Sequence, residues 1–227
     1  MKLVVFSDIH GDVGTLRKAL ADAYDAISSA DLVVCNGDFI DMFKTPRGSW
    51  LKCVESVVSM LLKAGKPLLC VPGNHDPPES AGLFEKRGVN LHGKRKTMHG
   101  FDFIGFGGAA TPFGTNFEPP DEAALQSIGP LAEGASHPLV FVLHNPPKNT
   151  KLDVAGNGMH VGSEALRYLI LKHRPVLALT AHIHECSGTD ILGSSTIFYP
   201  GLLSQGRYGL VDLDAKNRKT SCRIKTL

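Results

Sequence analysis

The chain has no Cys-x-x-Cys pair, and its five cysteines, Cys35, Cys53, Cys70, Cys186 and Cys222, are odd in number. Both facts argue against a disulfide framework and against a thiolate zinc site. Cys35 and Cys70 lie inside apolar runs and read as small buried residues. No block of like charge occurs either. With 24 basic and 22 acidic residues the formal charge is +2, too small a bias to imply a nucleic-acid partner by itself. The short run Lys94-Arg95-Lys96 falls in a turn or hairpin, where a solvated face is the simpler account. No apolar stretch is long enough to cross a bilayer, so no membrane association is expected. The opening residues lack the basic flank, apolar segment and cleavage site of a secretory leader. A reducing, cytoplasmic compartment is the default expectation. Internal repeats, low-complexity segments and linkers are missing too, so residues 1–227 are expected to form one domain.

What is present is an α/β order. The hydrophobic fraction of 43% is ample for a core. Lys2 to Phe6 is a Val-rich run that predicts a buried strand. Asp12 stands at a helix N-cap position before Leu16, Leu20 and Ala23 at helical spacing. Residues 31–35 predict a second strand. Residues 49–64 carry a helical apolar face that stops at Gly65, and 67–71 predict a third strand. This alternation argues for a parallel central sheet. Further on, 96–105 predicts a hairpin turning at His99-Gly100. Residues 105–120 read as a loop rich in Gly, Pro, Thr and Asn. Strands are expected at 139–143 and 176–180, with a loop over 148–162 and a helix capped by Ser163 that runs to about His173. Residues 196–199, 208–213 and 221–225 are expected to be antiparallel strands closing a second sheet.

Five polar clusters follow these apolar runs. They are Ser7-Asp8-Ile9-His10-Gly11-Asp12, Asn36-Gly37-Asp38-Phe39-Ile40-Asp41, Gly73-Asn74-His75-Asp76, Leu143-His144-Asn145-Pro146-Pro147 and Ala181-His182-Ile183-His184. Strand ends are where an α/β sheet places its chemistry. Imidazole, carboxylate and amide oxygen together suit borderline divalent metals. Two such ions roughly 3.5–4 Å apart clamp a phosphoryl group and acidify a shared water. Two dications, two carboxylates and one hydroxide leave a net charge of about +1, which favours an anionic phosphate ester.

In this order and over positions 8 to 184, the set resembles the calcineurin-like metallophosphoesterase family, as a small stand-alone member. His144-Asn145-Pro146-Pro147 and His160-Val161-Gly162-Ser163, with Gly105-Phe106-Gly107-Gly108 upstream, resemble a small subgroup of its cyclic-nucleotide phosphodiesterase-like branch. The resemblance implies a four-layer α-β-β-α sandwich of two mixed sheets flanked by helices, the metallo-dependent phosphatase fold. It implies two divalent ions as cofactors, manganese foremost, with iron, zinc, nickel, cobalt or magnesium as alternatives. Asp8, His10 and His184 would hold the first ion, Asn74, His144 and His182 the second, and Asp38 would bridge them. His75 would meet the leaving-group oxygen as proton donor or charge stabiliser. Asp76 would orient His75 or a neighbouring loop, and Asp41 would fix a ligand or loop. The implied activity is hydrolysis of phosphodiesters or small phosphomonoesters by a metal-bridging hydroxide.

Two departures from the family pattern are visible. Ala181 stands where the family usually has Gly before His-x-His, and Ala does not take a positive φ cheaply. Met42-Phe43 after Asp41, and Asp76 after His75, differ from the protein-phosphatase branch and disfavour a protein phosphatase. The alternatives from other classes are a non-catalytic metal-binding scaffold, which typically loses metal-site histidines, and a nuclease, which usually carries capping domains and basic surface. The expected partner is a small phosphate ester, nucleic acid is not expected, and a homo-oligomer is left open. His92, His99, His137 and His173 are assigned to structure, and His160 either to a loop hydrogen bond or to substrate. The Gly105 to Gly108 run would either cradle phosphate through its N–H groups or serve as a plain strand exit. Specificity is expected in the loops 42–50, 109–120 and 148–162.

Overall fold

The computed structural model describes all residues 1–227. A first sheet of five strands has the order β11-β10-β1-β2-β3, from β1 (Lys2–Phe6), β2 (Leu32–Cys35), β3 (Leu68–Cys70), β10 (Arg207–Asp214) and β11 (Lys219–Thr226). A second sheet of six has the order β4-β5-β6-β7-β9-β8, from β4 (Arg95–Met98), β5 (Phe101–Phe106), β6 (Leu139–Leu143), β7 (Leu177–Leu179), β8 (Gly188–Leu192) and β9 (Ser195–Tyr199). Helices α1 (Val13–Asp22), α2 (Tyr24–Ser29), α3 (Trp50–Leu62) and α4 (Ser80–Lys86) accompany the first sheet. Helices α5 (Ala123–Glu133) and α6 (Glu164–His173) accompany the second.

The expected four-layer sandwich follows from which strand faces are apolar. Alternate residues of a strand point to opposite faces. In β1, Leu3 and Val5 therefore enter the layer between the sheets, with Val34, Leu69, Phe103, Val142 and Leu179. Val4 and Phe6 face outward onto Leu16 of α1, Val54 and Val58 of α3 and Phe84 of α4. On the far side, Phe141, Leu143 and Ile197 meet Ile128 of α5 with Leu166 and Leu169 of α6. Burial on both faces is why β1, β2 and β6 read as unbroken apolar runs rather than alternating ones. Truncating one of these fully buried Leu or Phe side chains to Ala costs about 2–5 kcal/mol.

The first three strands are parallel, with Val5 beside Val34 and Val34 beside Leu69. β5, β6, β7 and β9 are likewise parallel, and β4 and β8 form antiparallel edges. The β4–β5 hairpin turns at His99 and Gly100, whose φ angles of 49° and 77° suit a two-residue hairpin turn. Asp12 caps α1 by accepting from Thr15 N at 2.9 Å, and Ser163 caps α6 by accepting from Leu166 N at 2.9 Å.

The last strands differ from expectation. β10 and β11 extend the first sheet, with β10 antiparallel to β1, and β9 runs parallel to β7 in the second. Alternation marks a half-buried strand but does not name its partner. β5 runs on to Phe106, into the stretch expected to be loop. Helix α5 has a weak sequence signal because Gly129 and Pro130 interrupt its pattern, and α4 because it has only 7 residues.

His92 supports the β5 exit from within. It is largely buried, and its Nδ1 accepts the Gly107 N–H at 2.9 Å. Burial pushes its pKa down to about 4. Between pH 6.5 and 4 the unfolded chain therefore binds a proton at His92 that the folded chain refuses, and stability falls as pH falls through that window. His92→Leu should show a shallower loss of melting temperature than wild type from pH 6.5 to 4, measured by calorimetry. Parallel curves would remove His92 from the account.

Candidate metal centre

The loops leaving β1 and β2 stay zipped together beyond the strands. Asp8 N donates to Gly37 O at 3.1 Å, His10 N to Asp38 O at 2.8 Å, and Gly11 N to Phe39 O at 2.9 Å. These bonds set the Asp8 and Asp38 carboxylates side by side, both essentially buried. The loop after β3 closes in because positions 37 and 73 have no side chain. A Cβ on Gly73 would run into the Asp38 carboxylate, and one on Gly37 (φ +112°) into His144 Nδ1. His75 N then donates to Asp38 Oδ1 at 2.9 Å.

The second sheet delivers His144 after β6 and His182 and His184 after β7. Asn36 joins the two sheets at this rim. Its Nδ2 donates to Leu143 O at 3.3 Å and Thr180 O at 2.6 Å, and its main-chain carbonyl accepts from His144 Nδ1 at 2.9 Å. His182 N donates to Asp8 Oδ1 at 3.1 Å. Ile183 N bonds back to Ala181 O at 2.9 Å, with His182 at φ +74° between them. That is a three-residue turn of the rare, strained hand. The positive φ at this corner thus falls on His182, and Ala181 keeps an ordinary backbone in place of the expected glycine.

One group of donors is compact. Ligand atoms of Asp8, His10, Asp38 and His184 all lie within 4.8 Å of one another. His10 Nε2 is 3.0 Å from His184 Nε2 and 3.5 Å from Asp38 Oδ2, and His184 Nε2 is 3.7 Å from Asp8 Oδ1. Asp8 Oδ2 and His10 Nδ1 are buried without a hydrogen-bond partner. Beside this group, His144 Nε2 stands 2.9 Å from Asn74 Oδ1 and 3.6 Å from Asp38 Oδ1, and the His182 ring lies 5.3 Å from the His144 ring, centre to centre.

Proton accounting shows what these atoms need. Asn36 O can only accept, so His144 carries its proton on Nδ1 and presents a bare Nε2. Asn74 Nδ2 donates to Thr115 Oγ1 at 3.1 Å, which turns the amide oxygen toward His144. Lone pairs of His144 Nε2 and Asn74 Oδ1 therefore face each other with no hydrogen between them, and Asp38 Oδ1 lies alongside. Such an arrangement repels itself unless a cation is shared, and the donor set fits a borderline divalent metal.

The charges agree. Burial pushes His10 and His75 down to about 4 and His182 down to about 3, and it lowers His144 as well, so these four rings are neutral at pH 7. Burial opposes the Asp8 charge, but His184, His144 and His10 outweigh it and hold the carboxyl below the usual range. Burial and then the Asp8 charge push Asp38 up. Burial also opposes the charge on His184, yet Asp8 beside it raises the ring above its ordinary value.

The other candidates fall around this cluster. His75 Nδ1 accepts the Met42 N–H at 3.3 Å and lies 3.9 Å from Asp41 Oδ1, and its ring meets that of His10 edge-on at 4.8 Å. Asp76 is fully buried and accepts from Phe39 N, Ile40 N and Gly73 N at 2.9, 3.2 and 2.8 Å. It clamps the loops after β2 and β3 to each other through main-chain N–H groups rather than through the His75 ring. Burial and the Asp38 charge push its pKa up to about 8. Asp41 accepts from Phe43 N at 3.0 Å and pairs with Lys44 at 2.8 Å. His160 goes to a loop bond, with its Nδ1 2.7 Å from the buried Asp153. The Gly105–Gly108 cradle is ruled out, because Gly107 N is taken by His92 and Gly108 N by Pro72 O at 2.9 Å. Asn36 is the residue that sequence reasoning passed over as a working part. Its one signal was an amide directly after four buried apolar residues.

A family model for calcineurin-like phosphoesterases matches residues 1–186. The chain belongs to the calcineurin-like phosphoesterase family. The match takes in all five clusters, through His184. An uncharacterized protein of Methanocaldococcus jannaschii is 29% identical over 205 residues, covering 88% of each chain. A solved structure from Thermus thermophilus superposes with a TM-score of 0.75 at 24% identity, over 98% of this chain and 97% of that one. A dimetal phosphatase from Danio rerio superposes with a TM-score of 0.68 at 13% identity, over 93% and 92%. At these identities the solved structures establish the metallo-dependent phosphatase fold. Membership in this phosphoesterase family carries hydrolase activity in general. No helix is long and apolar enough to cross a membrane.

Two outcomes test the centre. Chelator-treated protein should gain about 2.7 kcal/mol of stability when a divalent metal is added at about 100 times its Kd, measured by thermal unfolding. Asn36→Ala should cost about 1–3 kcal/mol through the Leu143 and Thr180 carbonyls left unpaired. It should also weaken metal binding about 10–100-fold by loosening the strand ends that carry His144 and His182, while the main-chain carbonyl at position 36 still meets His144 Nδ1, measured by calorimetric titration.

Proposed function

We propose that this family member is a dinuclear metal-dependent phosphoesterase acting on phosphodiesters or small phosphomonoesters. The observation that carries this is Asp38. Its Oδ2 faces His10 and its Oδ1 faces His144, so one buried carboxylate addresses two separate donor groups. Asp8, His10 and His184 would hold one ion, Asn74, His144 and His182 the other, and Asp38 both, with manganese the first metal to try. When bound, such ions supply Lewis-acid activation of water and of the phosphoryl group. The Danio rerio relative, named a dimetal phosphatase, supports the count of two.

The chain's own residues supply the rest. His75 is neutral at pH 7, and its Nδ1 is occupied by the Met42 N–H, so the ring proton resides on Nε2. It lines both clefts of the site, where that N–H can meet the departing oxygen as charge builds on it. Asp76 holds the loops that carry Asp38 and His75 at fixed separation and acts as a positioning residue. The retained histidines and their bare nitrogens speak against a scaffold that has lost its metal.

Protein supplied with Mn²⁺ should hydrolyse bis(p-nitrophenyl) phosphate. Asp38→Ala and His182→Ala should abolish that turnover. His75→Ala should lower kcat about 10²–10⁴-fold, with the larger loss on esters of more basic alcohols. Equal inertness of wild type and both ligand variants across several metals would overturn the enzymatic reading.

A further inference from the structure

The centre opens into two clefts that meet at Phe43 and His75. One, of about 720 Å³, is polar, bordered by His10, Asp12, Lys44 and Ser204. The other, of about 320 Å³, runs from Asp38, Asn74 and His182 out to Phe113. The chain has 11 phenylalanines. Only Phe43 and Phe113 are exposed, at 68% and 79%, and both border this second cleft. A single exposed apolar side chain is unremarkable. Two exposed rings that line one cleft with the metal donors are a different matter.

Neither ring stands on a free loop. Phe43 meets the His75 ring edge-on, 5.4 Å between centres, and its N–H is held by Asp41. Around Phe113, the Glu118 carboxylate accepts from the Thr111 hydroxyl and from the Thr115 N–H and hydroxyl, each at 2.6 Å. That loop is tied to the donors themselves. Asn74 Nδ2 donates to Thr115 Oγ1, Asn116 Nδ2 to His75 O at 2.8 Å, and Phe117 N to Asn74 O at 3.0 Å. The position of each ring is therefore coupled to Asn74 and His75. On the same cleft, Asn157 Oδ1 is occupied by the Met159 N–H, leaving the amide Nδ2 to donate.

We propose that this cleft is the leaving-group subsite and that it selects phosphate esters whose departing alcohol carries a flat aromatic or heteroaromatic ring, received by Phe43 and Phe113. The proposal rests on the phosphoesterase reading and adds the substrate class. The His75 N–H borders the cleft at its inner end, where the departing oxygen would lie, and the two phenyl rings border its outer part. Offset or edge-on packing of a planar ring favours aromaticity beyond bulk. A cleft of about 320 Å³ is at the small end for ligand sites and suits a ring system rather than a polymer.

The test separates aromaticity from size and from turnover. Benzylphosphonate and cyclohexylmethylphosphonate carry the same charge and nearly the same bulk, and neither has an ester bond to cleave. By calorimetric titration of the Mn²⁺-loaded protein, benzylphosphonate should bind at least five-fold tighter. Phe113→Ala, on an exposed loop, should bring the ratio below two, with thermal unfolding confirming that the variant is folded. Phe43→Leu should reduce the ratio while keeping bulk at that position. Equal affinity of the two phosphonates for wild type, no binding of either, or an unchanged ratio in Phe113→Ala would overturn the proposal. Hydrolysis of bis(p-nitrophenyl) phosphate by the same preparation reports separately on the phosphoesterase reading. Turnover with a ratio near one sinks the aromatic subsite alone, and a high ratio without turnover sinks only the enzymatic reading.

Discussion

Asn36 is where the two sheets are made to agree. Each sheet buries apolar residues on both faces, and apolar packing by itself lets one sheet slide over the other at small cost. A buried side-chain amide that donates to the carbonyls of Leu143 and Thr180, on a residue whose main-chain carbonyl holds His144, removes that freedom. The rim is set to within hydrogen-bond tolerance, and the same contact decides which nitrogen of His144 is bare. Everything chemical in the site assumes this registration: the convergence of His144, Asn74 and Asp38, and the approach of His184 to His10 from the opposite sheet.

The centre is also strained. Asp8, His10, Asp38 and His182 all have φ between 48° and 74°, where an L side chain crowds its own backbone. Such conformations cost of order 1–3 kcal/mol each and persist only where the surroundings over-determine them. Here the surroundings are the zipped loops after β1 and β2, the Asp76 clamp, and glycine at 37 and 73, where any side chain would displace a donor. Part of the stability contributed by the three apolar layers is thus offset by holding like-charged and bare donor atoms together. That cost is intelligible if divalent cations remove the repulsion.

The loops divide the labour. Those that reach inward, through Asn74, His75 and Asp76, are pinned by main-chain bonds to buried carboxylates. Those that reach outward carry Phe43 and Phe113 into solvent but are tied to the same inner residues.

Much of this was legible in the residues. The apolar runs of β1, β2, β3, β6 and β7 announce themselves, because strands buried on both faces leave unbroken hydrophobic stretches. The caps at Asp12 and Ser163 announce α1 and α6. The polar clusters after those runs named side chains that gather at one rim, because strand ends in an α/β sheet meet there. Pairing partners were not legible. Nothing local says that β10 seeks the edge of β1, some 200 residues earlier, or that β9 lies parallel to β7, because pairing is settled by which edges are left open after the core has closed. Nor could sequence decide whether Asp76 orients the adjacent His75 or a loop; in the structure it clamps main-chain N–H groups, while His75 faces the clefts. Side-chain roles of that kind depend on which loop arrives opposite. Composition and order determined the layers and which polar clusters reach the rim. Only the tertiary structure decided which donor faces which, and that two phenylalanines 70 positions apart share one cleft.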